Sequence, residues 1–546
     1  MLLHTSSMSL EQKIGQMFIC GFPTEQPDEN IQTLIEDYHL GGIIYFRRNV
    51  KSLTQMKALS DSLQSLALRD EQPPLWIAID QEGGMVARID VEEMSSIPGN
   101  MALGATANTE YSFKAGSVNA SELLSLGINM NLAPCLDINN NPMNPIIGIR
   151  SFGEDPDQVS EHGEAVIRAY QEQGLSAVGK HFPGHGDTMS DSHFGVAIIP
   201  HDMDRLRKIE LKPFVKAIEY GIDAIMTAHV IFPAIEPNQI PATLSSAVLT
   251  DLLRKELGFQ GLIMTDCLEM HAISQTCGIS EGAIRAINAG ADCILVSHTY
   301  SEQVAALEAV KKAVETGVIK ESTIDDAVTR ILAMKDKRLG SRYCEDGSHT
   351  NVIENQVEIS GSHQSLLTEI TDSVITLVKD EGQLPLKGNE PVLVIWPKVD
   401  SNDQMDQPWT HQITLGSVLN ERRNDVKEMD MSLDPSLDEI ENILLASQSY
   451  KQIVMATYTA GDKLSNGQRI LAEKLISRNH KSLIVTSMRN PYDYKYITDV
   501  PAYICCYENT PLILQSLASV LTGSITPKGK LPVTLSDQYP IGWGIE

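Results

Sequence analysis

The sequence predicts an α/β protein: an N-terminal (β/α)8 barrel of the TIM type, followed by a smaller α/β sandwich domain with a mostly parallel sheet. Three observations predict it. Short apolar runs alternate with amphipathic helical stretches over residues 1–339. A stretch with little apolar periodicity, 340–363, then reads as a linker. A second alternating region fills 364–546, with the strand spacing of a separate α/β domain.

The strand candidates of the first region are GQMFICGF (15–22), GGIIYF (41–46), LWIAID (75–80), INMNLAPCLD (128–137), SAVGKHF (176–182), AIMTAHV (224–230), GLIMTD (261–266) and DCILVS (292–297). Each is short, apolar and bounded by turn residues, as expected for parallel strands buried on both faces. Between them, 53–68, 157–174, 205–221 and 246–258 place apolar residues at three- and four-residue spacing. The last has Ser246 as its N-cap candidate and Gly258 as its stop. Eight such strands with intervening helices predict a closed barrel. A doubly wound open sheet is the alternative, because strand count does not prove closure. In the second region VLVIWP (392–397), QIVMATY (452–458), SLIVTSM (482–488) and AYICCY (502–507) are strand candidates, with a helix over 466–479. Neither GxGxxG after a strand nor GxxxxGK[ST] occurs there, so no nucleotide site is expected.

Composition narrows the partners. The 546-residue chain carries a formal net charge of −28, which repels phosphate backbones and argues against nucleic acid as a partner. No apolar run reaches the ~18–20 residues of a membrane span. The opening MLLHTSSMSLEQKIG lacks a basic segment followed by an apolar one, so a cytoplasmic protein is expected. The 8 Cys are scattered without a CxxC pair, which reads as buried reduced thiols rather than disulfides or a zinc site.

Functional residues of barrels sit at the C-terminal ends of the strands. Here those ends carry Asp80, Asp137, Lys180 with His181, His229, Asp266 and His298. Six such positions converging on one face point to a site. Asp137 reads equally well as a turn former or a substrate contact, and His298 as a histidine at the core edge. Cys267 reads as a packing residue. Arg150, after a Pro/Gly-rich turn, suits a side chain aimed into the barrel mouth.

Three chemistries fit this set. A metal-dependent barrel hydrolase is the first, but the spacing of His181, His185, Asp187, Asp191 and His193 matches no common ligand pattern. Glycoside hydrolysis is the second. It needs a carboxylate at the anomeric carbon and a proton donor for the leaving oxygen. Asp266 at a strand end suits the nucleophile. Asp191 and His193 lie at i and i+2, on one face of an extended segment, so the carboxylate can orient the imidazole. Imidazole titrates near neutrality, as a group that gives and retakes a proton should. A non-enzymatic binding barrel is the third, and it has no use for that pair.

The motifs IDQEGGMVAR, NPIIGIRSFGEDP, KHFPGHGDTMSDSH and GLIMTDCLEM occur in this order, with SLEQKIGQM before them and PATLS and TPKGKLPVTL elsewhere in the chain. On these the sequence resembles glycoside hydrolase family 3, specifically its bacterial β-N-acetylglucosaminidase branch, over essentially its whole length. The resemblance implies a retaining double displacement with Asp266 as nucleophile and His193 as general acid/base, Asp191 being its dyad partner. It implies that Asp80, Arg88, Arg150, Lys180, His181 and His229 hold the terminal sugar. The substrate would be a small carbohydrate such as a peptidoglycan fragment ending in N-acetylglucosamine, with no cofactor and no metal. A β-glucosidase, another β-glycosidase or a glycoside phosphorylase of the same family is the alternative. Met85 stands where an Arg is common, and is expected to alter the pocket's surroundings. Cys267 differs from the frequent Asp or Ala.

Overall fold

A computed structural model describes residues 5–69, 72–188, 196–340, 361–388, 390–399, 413–459, 461, 463–479 and 483–546. They form two compact units. One comprises Met1–Glu82, Gly116–Ile138 and Gly163–Ile359; the other comprises Gly83–Ala115, Asn139–His162 and Ser360–Glu546. The contacts thus group the chain in segments and do not follow a single boundary at 339. Two stretches of the first half pack with the second.

The first unit is built on strands β1 (Phe18–Cys20), β2 (Gly42–Tyr45), β3 (Trp76–Ile79), β4 (Met130–Asn131), β5 (Ser176–Phe182), β6 (Ala224–Thr227), β7 (Leu262–Met264) and β8 (Ile294–Val296). Each lies inside one of the eight expected runs. Their order is β7-β6-β5-β4-β3-β2-β1-β8, and every pairing is parallel. A parallel bridge from Met264 to Cys293 joins the two ends of the sheet. There Cys293 N–H donates to Ile263 O at 3.0 Å and Thr265 N–H to Cys293 O at 2.9 Å. A barrel, not a doubly wound open sheet, is the result. All eight strands are buried along their length, which is why their sequences are continuous apolar runs.

Two helices depart from expectation. The stretch 205–221 divides into Met203–Lys208 and Lys212–Tyr220. Pro213 lacks an N–H and so fits only the first turn of a new helix. Ala247–Glu256 is wound as a π-helix, and Ser246 makes no side-chain cap. Its neighbour Ser245 accepts the Val248 N–H instead, at 3.3 Å. Gly258 ends the segment as expected, at φ +71°.

The second unit holds a six-stranded sheet of β9 (Thr376–Asp380), β10 (Val392–Pro397), β11 (Val426–Met431), β12 (Gln452–Thr457), β13 (Leu483–Ser487) and β14 (Ala502–Cys505). Its order is β9-β14-β13-β12-β10-β11, parallel except for β9 against β14. The four expected strands are the interior ones. The two edge strands were not expected. In β11, VKEMDM alternates charged residues, of which Lys427 and Asp430 are exposed, with partly buried ones, so it lacks the apolar run that marks a central strand. The core of this unit includes Met85, Met101, Ala102, Ala105 and Ile149 beside the strand residues. Met85, 2% exposed, is thus a core residue. Its burial contributes ~2 kcal/mol, and a guanidinium there would have to be desolvated.

Among the described residues, no helix is long and apolar enough to cross a membrane. Of the cysteines, Cys20, Cys135, Cys293, Cys505 and Cys506 are buried free thiols, and Cys267 and Cys277 are partly buried free thiols.

Candidate active site

The strand ends of the barrel bring opposite charges into close contact. Lys180 lies within β5 and is 2% exposed. Its Nζ is 2.7 Å from Asp80 Oδ1 and 2.7 Å from Glu82 Oε1. An ammonium buried alone would cost several kcal/mol, and the two carboxylates offset this. Asp80 is the more open of them, 16% exposed against 3%. Glu82 was not expected at the site. It follows Asp80 at i+2 in an extended segment, and that alternation was the available signal.

His181, the next residue of β5, places Nδ1 2.7 Å from Asp137 Oδ2. The carboxylate fixes this nitrogen as the N–H donor and leaves Nε2 as the ring's other face. Asp137 also accepts the His181 N–H at 3.1 Å and the His185 N–H at 2.6 Å. It is fully buried. Burial alone would raise its pKa, but the His181 and His185 interactions outweigh that and hold it at about 2. Asp137 is therefore neither a turn former nor a substrate contact. It is a buried brace for His181 and for the turn after β5.

Asp266 stands just beyond β7, and its Oδ1 accepts the Cys267 N–H at 2.7 Å. Burial would raise this carboxyl too. His229, His181, the Cys267 N–H and Lys180 outweigh it and hold Asp266 below the usual carboxylate range. His229, 1% exposed, has Nε2 3.0 Å from Cys267 O and Nδ1 2.8 Å from Thr243 Oγ1. A carbonyl only accepts, so Nε2 carries the proton. The Cys267 backbone is thus held on both sides, its N–H by Asp266 and its carbonyl by His229. Thr243, within PATLS, also contacts Thr227 Oγ1 at 2.9 Å and donates to Ala228 O at 3.0 Å. This brace was legible only as part of a motif.

The barrel brings together Asp80, Lys180, His181, His229 and Asp266. Arg88 and Arg150 belong to the other compact unit, where both are partly buried. Arg150 O accepts from Asn100 Nδ2 at 2.7 Å. Asp191 and His193 lie outside the described residues. Before them, His185 is buried with Nδ1 2.9 Å from Thr188 Oγ1, and Asp187 pairs with His201 at 2.6 Å. His298 is exposed rather than at the core edge; its Nδ1 is 3.1 Å from Arg48 Nη1 and its ring 4.8 Å from Phe46. The Cys267 thiol is pushed up to about 12 by burial, which keeps it protonated and unreactive.

Among the described residues three groupings offer metal-ligand atoms: Cys135 with Asp137 and His181, Asp187 with His201 and Glu210, and Cys267 with Glu269 and His298, where Glu269 already accepts the His298 and Thr299 N–H groups. In the first, the atoms already hydrogen-bond one another. In the second, Arg205 lies 3.8 Å from Asp187 and 3.3 Å from Glu210 and supplies the cation.

Comparison with known proteins places this arrangement. The family model for the glycosyl hydrolase family 3 N-terminal domain matches residues 9–334, and that for the C-terminal domain matches 375–540. A solved family 3 β-N-acetylglucosaminidase from Paenibacillus sp. str. FPU-7 is 44% identical, with a TM-score of 0.92 over 97% of this chain and 99% of that one. Beta-hexosaminidase A of Pseudoalteromonas piscicida is 38% identical over 68% of this chain, which spans 64% of that protein's length. A Cellulomonas fimi β-N-acetylglucosaminidase/β-glucosidase is 28% identical over 97% of this chain and 94% of its own. With both domain models matched and a carboxylate held ionised at a barrel strand end, the chain is a glycoside hydrolase and belongs to glycosyl hydrolase family 3.

Proposed function

We propose that this enzyme is a retaining exo-β-N-acetylglucosaminidase that releases terminal N-acetylglucosamine from β-linked substrates such as peptidoglycan fragments in the cytoplasm. The observation that carries the reading is Asp266 just beyond β7, its carboxyl held below the usual range by the charges of His229, His181 and Lys180 against its burial. The names of the similar proteins supply the sugar.

Asp266 attacks the anomeric carbon as His193, oriented by Asp191, protonates the departing glycosidic oxygen. The product is a glycosyl ester on Asp266. His193 then takes a proton from water, which displaces the carboxylate and restores the configuration. Lys180 and His181 donate to sugar oxygens from β5, Asp80 accepts from hydroxyls, and Arg88, Arg150 and His229 complete the recognition.

The test is mass spectrometry after trapping with a slow fluorinated 2-acetamido sugar. The peptide bearing Asp266 should gain the sugar's mass. A label on another residue would sink the assignment. For the proton donor, His193→Ala should cost poor leaving groups ~10²–10⁴-fold in kcat/KM and spare activated aryl leaving groups. Equal losses on both would remove His193 from that role. Chelation should leave the rate unchanged, whereas a metal hydrolase would lose it.

A further inference from the structure

Glu508 lies just beyond β14 and is 2% exposed. Its Oε2 accepts the Gly99 N–H at 2.7 Å, and its Oε1 accepts the Thr510 hydroxyl at 2.7 Å. The carboxylate is seated against the second glycine of the IDQEGG motif. A Cβ on Gly84 would stand 2.5 Å from Glu508 Oε2 and 2.8 Å from Gly99 Cα, and Gly84 has φ +55°. A Cβ on Gly99 would stand 3.0 Å from the same oxygen. Glycine at 84 thus meets two demands at once, a left-handed backbone and the close approach of a carboxylate.

These contacts close a loop. The Gly84 N–H donates to Ile97 O at 2.7 Å, so the chain from 84 to 99 returns to its own start, and Glu508 spans that neck. Met85 anchors one side of the loop in the core, and Arg88 is carried on it. Immediately before the neck come Asp80 and Glu82, the two grips on Lys180.

We propose that Glu508 is a positioning residue for sugar binding: it fastens the neck of the 84–99 loop and thereby fixes Arg88. This rests on the sugar-binding role given to Arg88 above. It assigns the C-terminal sequence a task in the reaction other than supplying an acid.

The state of Glu508 sets the strength of the fastening. The groups facing it are the Gly99 N–H, the Thr510 hydroxyl and the Cys506 thiol, which burial keeps protonated. Burial pushes the Glu508 carboxyl up to about 7, against the Gly99 and Thr510 hydrogen bonds that lower it. Above that pH the carboxylate makes charge-assisted bonds, and below it the neutral acid makes weaker ones. KM should therefore rise as pH falls through about 7.

The experiment compares wild type, Glu508→Gln and Gly84→Ala on an aryl β-N-acetylglucosaminide from pH 5.5 to about 8.5. Each is also measured by hydrogen exchange over 84–99. Glu508→Gln, neutral throughout, should show a KM raised about 5-fold at the alkaline end, a kcat within about 2-fold of wild type, and no pH step in KM. Exchange over 84–99 should rise in both variants. Wild-type KM at every pH would overturn the proposal, whether or not exchange rises, since the neck would then be structural only. Wild-type exchange in both variants would also overturn it. If the wild type turned over no such glycoside, the functional reading would fail, and the exchange data would still judge the neck.

Discussion

Asp266→Asn is expected to lower turnover of an aryl β-N-acetylglucosaminide by ~10⁴-fold or more, equivalent to ~5 kcal/mol in the barrier. An amide does not form the glycosyl ester, and among the described residues the neighbouring carboxylates are already engaged, Asp80 and Glu82 by Lys180 and Asp137 by His181 and His185. The fold should survive. Asn retains the oxygen that accepts the Cys267 N–H, and position 266 is only partly buried. Melting within a few degrees of wild type, together with lost turnover, is the result to look for. Residual activity within ~10²-fold of wild type would remove Asp266 as the nucleophile. The wild-type profile adds a check. Asp266 is held below the usual carboxylate range although partial burial works against ionisation, so an acid limb in kcat/KM above about pH 5 must belong to another group.

Asp137→Ala is expected to cost ~3–5 kcal/mol of stability, and activity with it. The substitution strips the acceptor from the His181 ring and from the His181 and His185 N–H groups at one buried point. The cost depends on pH in a defined direction. The folded pKa is depressed from 3.8 to about 2, so the stabilisation is complete above about pH 4 and lost as pH falls toward 2. That part amounts to ~2–3 kcal/mol. Denaturant titrations of both proteins at pH 7 and near pH 3 should show the gap narrowing with acid. A loss below ~1 kcal/mol at pH 7 would show that Asp137 is not the brace described.

The barrel was legible because buried parallel strands are written as unbroken apolar runs, and each run contains a strand. The edges of the second sheet were not. VKEMDM in β11 turns Lys427 and Asp430 to solvent and packs Val426, Met429 and Met431 on the core, so its sequence mixes charge with apolar residues and shows no continuous apolar run. Strand-end position was enough to single out Asp80, Lys180, His181, His229 and Asp266 as candidates that the barrel gathers at its strand ends. It did not separate a residue that meets the sugar from one that holds another residue. Asp137 shows this, since only its three short contacts reveal a brace. Glu82 and Thr243 act through neighbours, and such roles have no signature in one sequence beyond spacing. The compact units were hidden for a related reason. Gly83–Ala115 and Asn139–His162 lie between barrel strands in the chain, yet they pack with residues more than two hundred positions later.

That last arrangement has a consequence for how the protein is made. Synthesis runs from the N-terminus at ~5–20 residues per second, so Met85, Met101, Ala102, Ala105 and Ile149 emerge long before the strands that bury them. For tens of seconds the nascent chain shows apolar side chains that have no place to go, an invitation to chaperones. A shortened chain ending near residue 340 would keep all eight barrel strands and still hold those side chains in water. It should be aggregation-prone in proportion, until the five are exchanged for polar residues.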